Sequence, residues 1–196
     1  MPNRSDSTTE QFIKVPPIKV QPVLLDAQLF TPFGDVITTS SAKEVRTINE
    51  GNTTRYHDLA KLDLNEGQGY PTVNIFRSTP LLGTVAETLK LRTFERHPLS
   101  SQAFYPLGTN PYLVVVAPAG EFDPTKLRVF LASANQGVNY HRGTWHHYSL
   151  ALDHASDFLV IDRDGPEDNC DEVHLSEEAG VEINLDGISH LIKEIR

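Results

Sequence analysis

The sequence predicts an all-β domain. Apolar residues alternate with polar ones over many short runs, which is the period of half-buried strands. Residues that favour turns, mainly Gly, Pro and Asn, separate these runs about every 10–15 positions. The sequence shows no long helical repeat and no coiled-coil heptads. Many short strands between closely spaced turns are typical of a β-sandwich or β-barrel.

The length of the chain fits one such domain. It has 196 residues, and domains usually contain roughly 100–200. Residues 1–17 are rich in Ser, Thr and Pro and have little to bury, so they are expected to be a flexible N-terminal tail. Residues 18–196 are expected to form a single domain.

The first elements are a strand and a short helix. Alternation over residues 18–23 predicts the strand. Asp26 is expected to cap a helix at 27–30, because its carboxylate can accept hydrogen bonds from the N–H groups of the first turn. Pro32 and Gly34 then end that helix.

Two alternating runs in the middle of the chain end in polar residues. The run 73–77 places apolar side chains and then Arg77 on one face. The run 89–97 places apolar side chains and then Glu95 and His97 on one face. Because the apolar members predict which face is buried, the polar members are expected to point inward.

The remaining elements follow the same period. In the run 144–152, His146 shares its predicted inward face with Tyr148 and Leu150, whereas His147 falls on the other face. The other predicted elements are strands at 112–117, 127–131, 157–161 and 181–185 and a short helix at 188–196.

Composition limits the partners and the compartment. The formal net charge is −9, and an acidic surface repels phosphate backbones, so nucleic acid is not an expected partner. No apolar run reaches the length that crosses a bilayer. The single cysteine, Cys170, suits a reducing compartment and lies among acidic residues that disfavour a nucleophilic thiolate. The expected location is cytoplasmic.

The first group of residues with possible chemistry is Glu95 and His97, followed by Gln102. Residues two apart on a strand share a face, and burying a carboxylate with an imidazole is costly unless they are paired or bind a metal. After a turn in the chain, the side-chain oxygen of Gln102 could be a further ligand beside Glu95 and His97. The alternative is a buried, hydrogen-bonded Glu–His pair with a structural role.

The second group is the segment 140–147, which contains three histidines in seven residues. A neutral imidazole can bind a divalent metal or act as a general base near pH 7. Taken singly, these histidines are more simply explained as one core residue and two solvated ones. Together with the first group they favour a functional site.

Arginines on or near these strands could bind an anion. Arg77, at the end of an apolar face, would suit a planar carboxylate of a substrate, or could pair with Glu95 or an aspartate. Ser78 and Arg96 are weaker candidates for the same role.

The two groups resemble the paired motifs of the cupin barrel. In its first motif, Glu95-Arg96-His97 stands in the place of His-x-His, and Gln102 in the place of the following Glu. In its second motif, the segment 141–146 fits Pro-x-Gly-x-x-His, with a histidine replacing the proline. The resemblance implies a cupin-type double-stranded β-helix barrel with a few short peripheral helices. The implied metal ligands are Glu95, His97, Gln102 and His146.

A more specific resemblance covers about residues 18–170. The segments that carry it are FTPFGDVI (30–37), NIFR (74–77), ERHPLSSQAF (95–104), QGVNYHRGTWHH (136–147) and DFLVIDR (157–163). In these segments the chain is similar to the ureidoglycolate lyase family, formerly called ureidoglycolate hydrolase, which acts in allantoin degradation. The activity that it implies is a carbon–nitrogen lyase of the amidine-lyase type, which splits ureidoglycolate into glyoxylate and urea.

The resemblance also implies roles and partners. His141, Tyr140 and His146 are the expected catalytic residues, and Arg77, Ser78 and Arg96 would bind the substrate. Nickel is the metal associated with the family, and imidazole and oxygen ligands suit manganese, zinc or iron as well. A homodimer is expected by analogy with other cupins. The rival hypotheses are another cupin enzyme, such as an isomerase or a dioxygenase, and a barrel that binds a small ligand without turnover.

Overall fold

Two β-sheets face each other across an aromatic core. The computed structural model of the chain describes residues 12–13, 18–80 and 88–195. Two α-helices lie in the described part, α1 (Ala27–Phe30) and α2 (Ile188–Glu194). The strands there are β1 (Phe12–Ile13), β2 (Ile18–Val20), β3 (Val23–Leu24), β4 (Gly34–Ile37), β5 (Glu44–Ile48), β6 (Thr53–His57), β7 (Tyr70–Ser78), β8 (Thr88–Leu91), β9 (Thr93–Arg96), β10 (Gln102–Pro106), β11 (Tyr112–Ala117), β12 (Arg128–Ala132), β13 (Gly137–Tyr140), β14 (Trp145–His146), β15 (Leu150–Ala151), β16 (Ser156–Asp164), β17 (Asp171–Leu175) and β18 (Val181–Asn184).

The facing sheets contain five and eight strands. The five-stranded sheet has the order β4-β13-β10-β16-β7, and all its neighbours are antiparallel. The eight-stranded sheet has the order β1-β17-β9-β14-β11-β12-β3, with β15 also paired to β11. The predicted all-β architecture with short peripheral helices is confirmed. Within the described residues the two sheets stay separate and do not form one closed barrel.

Side chains from both sheets fill the space between them. This inner core is rich in aromatic rings, which pack edge to face, as in the Tyr112–Phe158 pair with centroids 4.9 Å apart. Its members are Leu25, Phe30, Phe33, Val36, Phe104, Tyr112, Val114, Val116, Phe130, Ala132, Val138, Tyr140, Phe158 and Val160. Removing this apolar area from water is the main force that holds the sheets together.

The opposite face of the eight-stranded sheet covers a second, outer core. There the alternate residues of β11 and β12 meet a three-stranded sheet, β2-β18-β8, and helix α2. The continuous apolar run of β11 follows from this arrangement, because every residue of that strand is buried on one side or the other. The predicted C-terminal helix is confirmed as α2. No helix among the described residues is long and apolar enough to span a membrane.

The short helix near the N-terminus forms as its cap predicts. The Asp26 carboxylate accepts hydrogen bonds from the backbone N–H groups of Gln28 and Leu29, at 2.9 and 3.0 Å. Phe30, the last residue of α1, is fully buried in the inner core. The capped turn therefore directs one aromatic side chain inward and anchors the segment to the sheet.

The predicted tail at residues 1–17 is partly structured. Phe12–Ile13 pair in parallel with His174 and Leu175 of β17. The other residues of that segment lie outside the described part of the chain.

Residues 89–97 form two strands rather than one, and the alternation of inward and outward side chains is not continuous between them. Leu91 and Phe94 both point into the outer core, although they are three residues apart. The chain leaves the three-stranded sheet after β8 and enters the eight-stranded sheet at β9, so the alternation shifts by one residue near Arg92. The expectation that Glu95 shares its face with Leu89 and Leu91 is therefore wrong.

The run 144–152 is interrupted in the same way. It forms two separate short strands, β14 and β15. Leu150 belongs to the outer core, and Tyr148 is 48% exposed, so neither shares a face with His146. His147 packs edge to face against Phe94 of the outer core, which confirms that it lies on the other side of the sheet from His146.

Candidate metal centre and active site

Glu95 and His146 are brought together by direct strand pairing. They stand opposite each other in the antiparallel β9–β14 pair. Their neighbours Phe94 and Trp145 face the outer core, so both polar side chains turn toward the inner side of the sheet. Glu95 Oε1 lies 3.5 Å from His146 Nε2. When Nε2 carries a proton, the adjacent His146 keeps the pKa of the Glu95 carboxyl below its usual range, against the opposing effect of burial.

His97 follows β9 directly and joins this pair. Its ring lies 5.3 Å, between centroids, from that of His146. Single ligand atoms from Glu95, His97 and His146 all lie within 4.8 Å of one another. Gly143, in the left-handed region with φ +75°, donates its N–H to the His97 carbonyl oxygen at 3.0 Å. This turn ties the two predicted motifs together.

Both imidazoles have a fixed tautomer. His97 Nδ1 donates to the Asn169 carbonyl oxygen at 2.7 Å, and His146 Nδ1 donates to the Thr144 carbonyl oxygen at 3.0 Å. A carbonyl oxygen only accepts, so in the neutral rings the proton is on Nδ1 and Nε2 keeps its lone pair. Metal-binding histidines are usually oriented in this way by a partner at the other ring nitrogen.

Three buried atoms in this region have no hydrogen-bond partner within the described part of the chain. They are His97 Nε2, His146 Nε2 and Gln102 Oε1. Buried polar atoms are normally satisfied, because leaving one unpaired costs about 1–3 kcal/mol. All three present lone pairs, which a divalent cation could fill together with the Glu95 carboxylate. The donor set therefore fits a metal ion such as those that bind imidazole and oxygen.

Gln102 comes from the facing sheet. It begins β10, pairs across the strands with Tyr140, and is 4% exposed. Its Nε2 donates to the Asp162 carboxylate at 3.0 Å. Residues that stand opposite each other across an antiparallel pair share a face, so Gln102 lies on the face of the five-stranded sheet that carries Tyr140.

Tyr140 lies against His146, one of the three residues of the histidine cluster, which consists of Glu95, His97 and His146. Its ring stacks on that of His146, with centroids 4.3 Å apart and planes at 16°. Its side chain belongs to the inner core and is almost completely buried. Burial raises the pKa of the phenol, and the negative charge of Glu95 adds to that shift. Tyr140 therefore holds its proton at neutral pH.

His141 lies on the opposite side of β13 from Tyr140. Its Nε2 is 3.1 Å from the Asp35 carboxylate, its side chain is 48% exposed, and it lines a cavity of about 380 Å³ with Lys43 and Lys61. The alternation of the strand explains this placement, because Asn139, two residues earlier, also contacts Asp35. The structure does not bring His141 to the histidine cluster.

The three predicted substrate-binding residues are held elsewhere. Arg77 is 72% exposed and makes a bidentate pair with Asp157, directly opposite it on β16. The expectation that Arg77 points inward is wrong, because this side of β7 faces solvent. Of the partners considered from the sequence, an aspartate is the one that Arg77 contacts. Arg96 stacks over Trp145 with its guanidinium 4.6 Å from the ring centroid, on the outer-core side of β9. Ser78 Oγ lies 2.7 Å from Ser149 Oγ.

Sequence reasoning missed the contribution of the acidic segment after β16. Asn169 accepts from His97 through its backbone carbonyl, and its own side chain bonds Leu99 N and Ser100 Oγ. No sequence signal marks this role, since the contact spans 72 residues and uses a backbone atom. The Cys170 thiol lies 3.8 Å from Glu95 Oε2, and burial with nearby carboxylates raises its pKa to about 11. It is therefore protonated, as expected.

A second set of possible ligands overlaps the first. Glu95, Cys170 and Glu172 also place ligand atoms within 4.8 Å of one another. Cys170 and Glu172 are exposed, whereas the histidine cluster includes the buried His146. Bulk water solvates the exposed groups, whereas the buried Nε2 atoms of His97 and His146 have no partner within the described part of the chain, so the histidine set is the stronger site.

Solved structures with related folds are distant. A dTDP sugar isomerase from Desulfovibrio desulfuricans G20 matches with a TM-score of 0.43 and 15% identity over 74% of this chain and 88% of that one. The dTDP-6-deoxy-D-glucose-3,5-epimerase from Legionella pneumophila Philadelphia 1 matches with a TM-score of 0.39 and 13% identity over 76% and 88%.

Sequence relatives are much closer. A protein from Burkholderia mallei (strain NCTC 10229) named ureidoglycolate lyase is 51% identical over 148 residues, which are 76% of this chain and 84% of that protein. The protein of the same name from Pseudomonas aeruginosa (strain LESB58) is 45% identical over 162 residues, 82% and 92% of the two chains. The family model described as ureidoglycolate lyase matches residues 17–182. On this match, which includes every residue of the histidine cluster, the chain belongs to the ureidoglycolate lyase family.

Proposed function

We propose that this chain is a carbon–nitrogen lyase of the amidine-lyase type that releases glyoxylate and urea from ureidoglycolate. The relatives named ureidoglycolate lyase support the substrate. The observation that carries the site is the meeting of the Glu95 carboxylate with the orphaned Nε2 atoms of His97 and His146. The orphaned Gln102 Oε1 belongs to the register partner of Tyr140, whose ring stacks on His146. Glu95, His97, Gln102 and His146 are accordingly the proposed metal ligands.

The chemistry of the substrate defines what this site has to do. One carbon of ureidoglycolate bears a hydroxyl, a ureido nitrogen and a carboxylate. A base takes the proton of the hydroxyl O–H, the O–H electron pair forms the C=O bond of glyoxylate, and the C–N bond breaks with its electrons going to nitrogen. That nitrogen takes up a proton, and urea leaves. The site needs a proton acceptor, a proton donor and positive charge near the substrate oxygens.

The buried ligand set explains where that positive charge would come from. A divalent cation held by these four residues would supply it as a Lewis acid. Nickel is proposed from the family association, and the imidazole and oxygen donors fit manganese, zinc or iron equally. The chain's own cations are less suitable, because Asp157 and Asp171 already hold Arg77 and Arg96.

Tyr140 is the proposed donor of the proton to the leaving nitrogen. Its ring stacks directly on His146, and its phenol keeps its proton because it is buried. Among the residues predicted for proton transfer, His141 is less well placed, since it faces Asp35 on the other side of β13. The Nε2 atoms of His97 and His146 would hold the cation, so they would not be free to act as bases.

The first test measures the reaction itself. The purified protein is expected to release urea and glyoxylate in equal amounts from ureidoglycolate. Because positive charge in the site comes from the metal, treatment with a chelator should abolish most of the activity, and adding back Ni²⁺ or Mn²⁺ should restore it. Metal content is measured on the same samples. Full activity in a sample shown to be free of metal would exclude the metal, and tight binding without any product would favour a ligand-binding barrel.

The second test separates the two proposed proton-transfer residues. Tyr140→Phe keeps the ring stack and removes only the hydroxyl, so it should lower kcat by about 100-fold, as the loss of a general acid does. His141→Gln removes an imidazole outside the cluster and should have a much smaller effect. Steady-state kinetics on both variants would reverse the assignment if His141→Gln were the severely impaired one.

We also propose a cytoplasmic location and a homodimeric assembly. A cytoplasmic protein is supported by the single cysteine, which suits a reducing environment. A homodimer is supported by the outer face of β7, where Val73 and Ile75 are 69% and 56% exposed on a strand at the edge of the sheet. Exposed apolar side chains of this kind commonly mark an interface.

A further inference from the structure

The orientation of the Gln102 side-chain amide is determined by a residue that is not one of the predicted metal ligands. We infer that Asp162 is a positioning residue: it holds the amide nitrogen of Gln102 so that the amide oxygen faces the histidine cluster. The inference rests on the proposed metal site, which gives that oxygen its purpose. It assigns a role to Asp162, which lies in the segment DFLVIDR (157–163) but is not among the predicted site residues.

The hydrogen-bonding capacity of the two side chains dictates this orientation. Asp162 stands next to Gln102 on the adjacent strand β16, where the register pairs Ala103 with Ile161. An ionised carboxylate only accepts hydrogen bonds, so the amide group must present Nε2 to Asp162, as it does at 3.0 Å. Oε1 must then point the other way, and there it is buried without a partner among the described residues.

Asp162 is itself held in place. Its Oδ1 accepts a hydrogen bond from the Arg163 backbone N–H at 2.8 Å, and Oδ2 receives the amide of Gln102. The strand that carries it is bonded on both sides, to β10 and to β7. Both carboxylate oxygens are thus used, and each faces a donor. A rigid carboxylate of this kind can select one of the two amide orientations of Gln102.

The decisive variant is Asp162→Asn, because it replaces one acceptor oxygen of the carboxylate by a donor NH₂ group and keeps the shape of the side chain. The Arg163 N–H still requires an acceptor, so the new amide turns its oxygen there and its nitrogen toward Gln102. Gln102 must then flip and present its oxygen to residue 162, which removes Oε1 from the cluster. We expect Ni²⁺ affinity, measured by chelator competition, to fall about 10-fold to 100-fold.

Asp164→Asn is the matched control. Asp164 lies two residues along the same strand and also accepts from the following backbone N–H and from one side chain, the Tyr70 hydroxyl. It is exposed, and neither of these contacts involves the histidine cluster. Its replacement removes the same charge and should leave Ni²⁺ affinity at the wild-type level. An equal loss in both variants would show a general charge effect and overturn the inference.

A reciprocal exchange tests the pairing directly. Gln102→Glu alone places two carboxylates against each other and should weaken Ni²⁺ binding or stability. In the double variant Gln102→Glu/Asp162→Asn, the amide at position 162 donates to one oxygen of the new carboxylate at position 102 and leaves the other oxygen facing the cluster. Ni²⁺ affinity should return to at least the wild-type level. A double variant as weak as the worse single variant would contradict the proposed orientation.

A measurement without metal keeps the inference separate from the proposed function. In ¹⁵N–¹H spectra, the side-chain amide of Gln102, identified by its loss in Gln102→Glu, should exchange slowly with solvent in the wild-type protein, because it is buried and bonded to Asp162. Asp162→Asn should shift that resonance pair, and Asp164→Asn should not. An exposed, rapidly exchanging amide in the wild type would overturn the inference. Failure of the wild type to bind Ni²⁺ or turn over substrate would instead overturn the proposed function.

Discussion

Replacing His146 with alanine is expected to lower kcat/KM for ureidoglycolate by about 1,000-fold or more. His146 is 1% exposed, stands opposite Glu95 across the strands, and carries one of the three orphaned lone-pair atoms. Its removal takes a ligand from the proposed metal and also leaves Tyr140 without the ring on which it stacks. Both the positive charge and the placement of the proton donor would be lost.

The variant His147→Gln provides a control for damage to the fold. His147 is the next residue and is also buried, but it packs against Phe94 in the outer core. Burial lowers the pKa of its imidazole to about 4, so it is neutral at working pH and a neutral replacement changes no charge. The His147 variant should keep most of its activity even if its stability falls. Near-normal kcat/KM in His146→Ala would refute the assigned role, provided that its thermal unfolding matches the wild type.

The sequence was sufficient for the fold class and for the grouping of Glu95, His97 and His146. Period-two alternation identified the long strands, and the continuous apolar run of β11 reflected burial on both faces. The strands that carry Gln102 and Tyr140, β10 and β13, were not predicted. All four residues of β13, and all but Tyr105 in β10, are buried, so neither shows the alternation that marks a half-exposed strand.

Inward and outward positions were harder to predict than the strands themselves. Glu95 does face inward, yet the reason inferred from the sequence, its apolar companions Leu89 and Leu91, is wrong because the chain changes sheets near Arg92. Arg77 shows the opposite outcome: its apolar neighbours lie on a face exposed to solvent. Periodicity identifies which residues share a face only within one unbroken strand, and long-range pairing decides where the strand breaks and what its face covers.

The supporting hydrogen bonds could not be predicted at all. His97 is oriented by the Asn169 carbonyl oxygen, and Gln102 by the Asp162 carboxylate 60 residues away in sequence. One contact uses a backbone atom, which every residue has, and the other depends on strand register. Neither leaves a pattern in the sequence. These contacts determine which lone pairs face the site, so the chemistry depends on information that only the fold supplies.

The substitution Glu95→Gln should be nearly as damaging as the loss of His146, with kcat/KM lower by about 1,000-fold. Glutamine keeps the shape of the side chain and one oxygen, but it removes the carboxylate from the cluster of Glu95, His97 and His146. The neighbouring His146 holds the pKa of this carboxyl low, so the wild-type side chain is charged at neutral pH. The lowered pKa means that the charged carboxylate is more favourable in the folded protein than in the unfolded chain, so the substitution should also lower the thermal unfolding temperature slightly. Activity is therefore compared well below that transition.

Glu172→Gln is the control that distinguishes the two overlapping ligand sets. Glu172 pairs directly with Glu95 across β17 and β9 and loses the same charge, but it faces solvent and contacts His174. If the metal lies between Glu95, His97 and His146, the Glu172 variant should bind Ni²⁺ and turn over substrate like the wild type. A Glu172 variant as impaired as Glu95→Gln would place the metal with Cys170 instead. The buried imidazole lone pairs argue for the first outcome, because an exposed site would leave them unsatisfied.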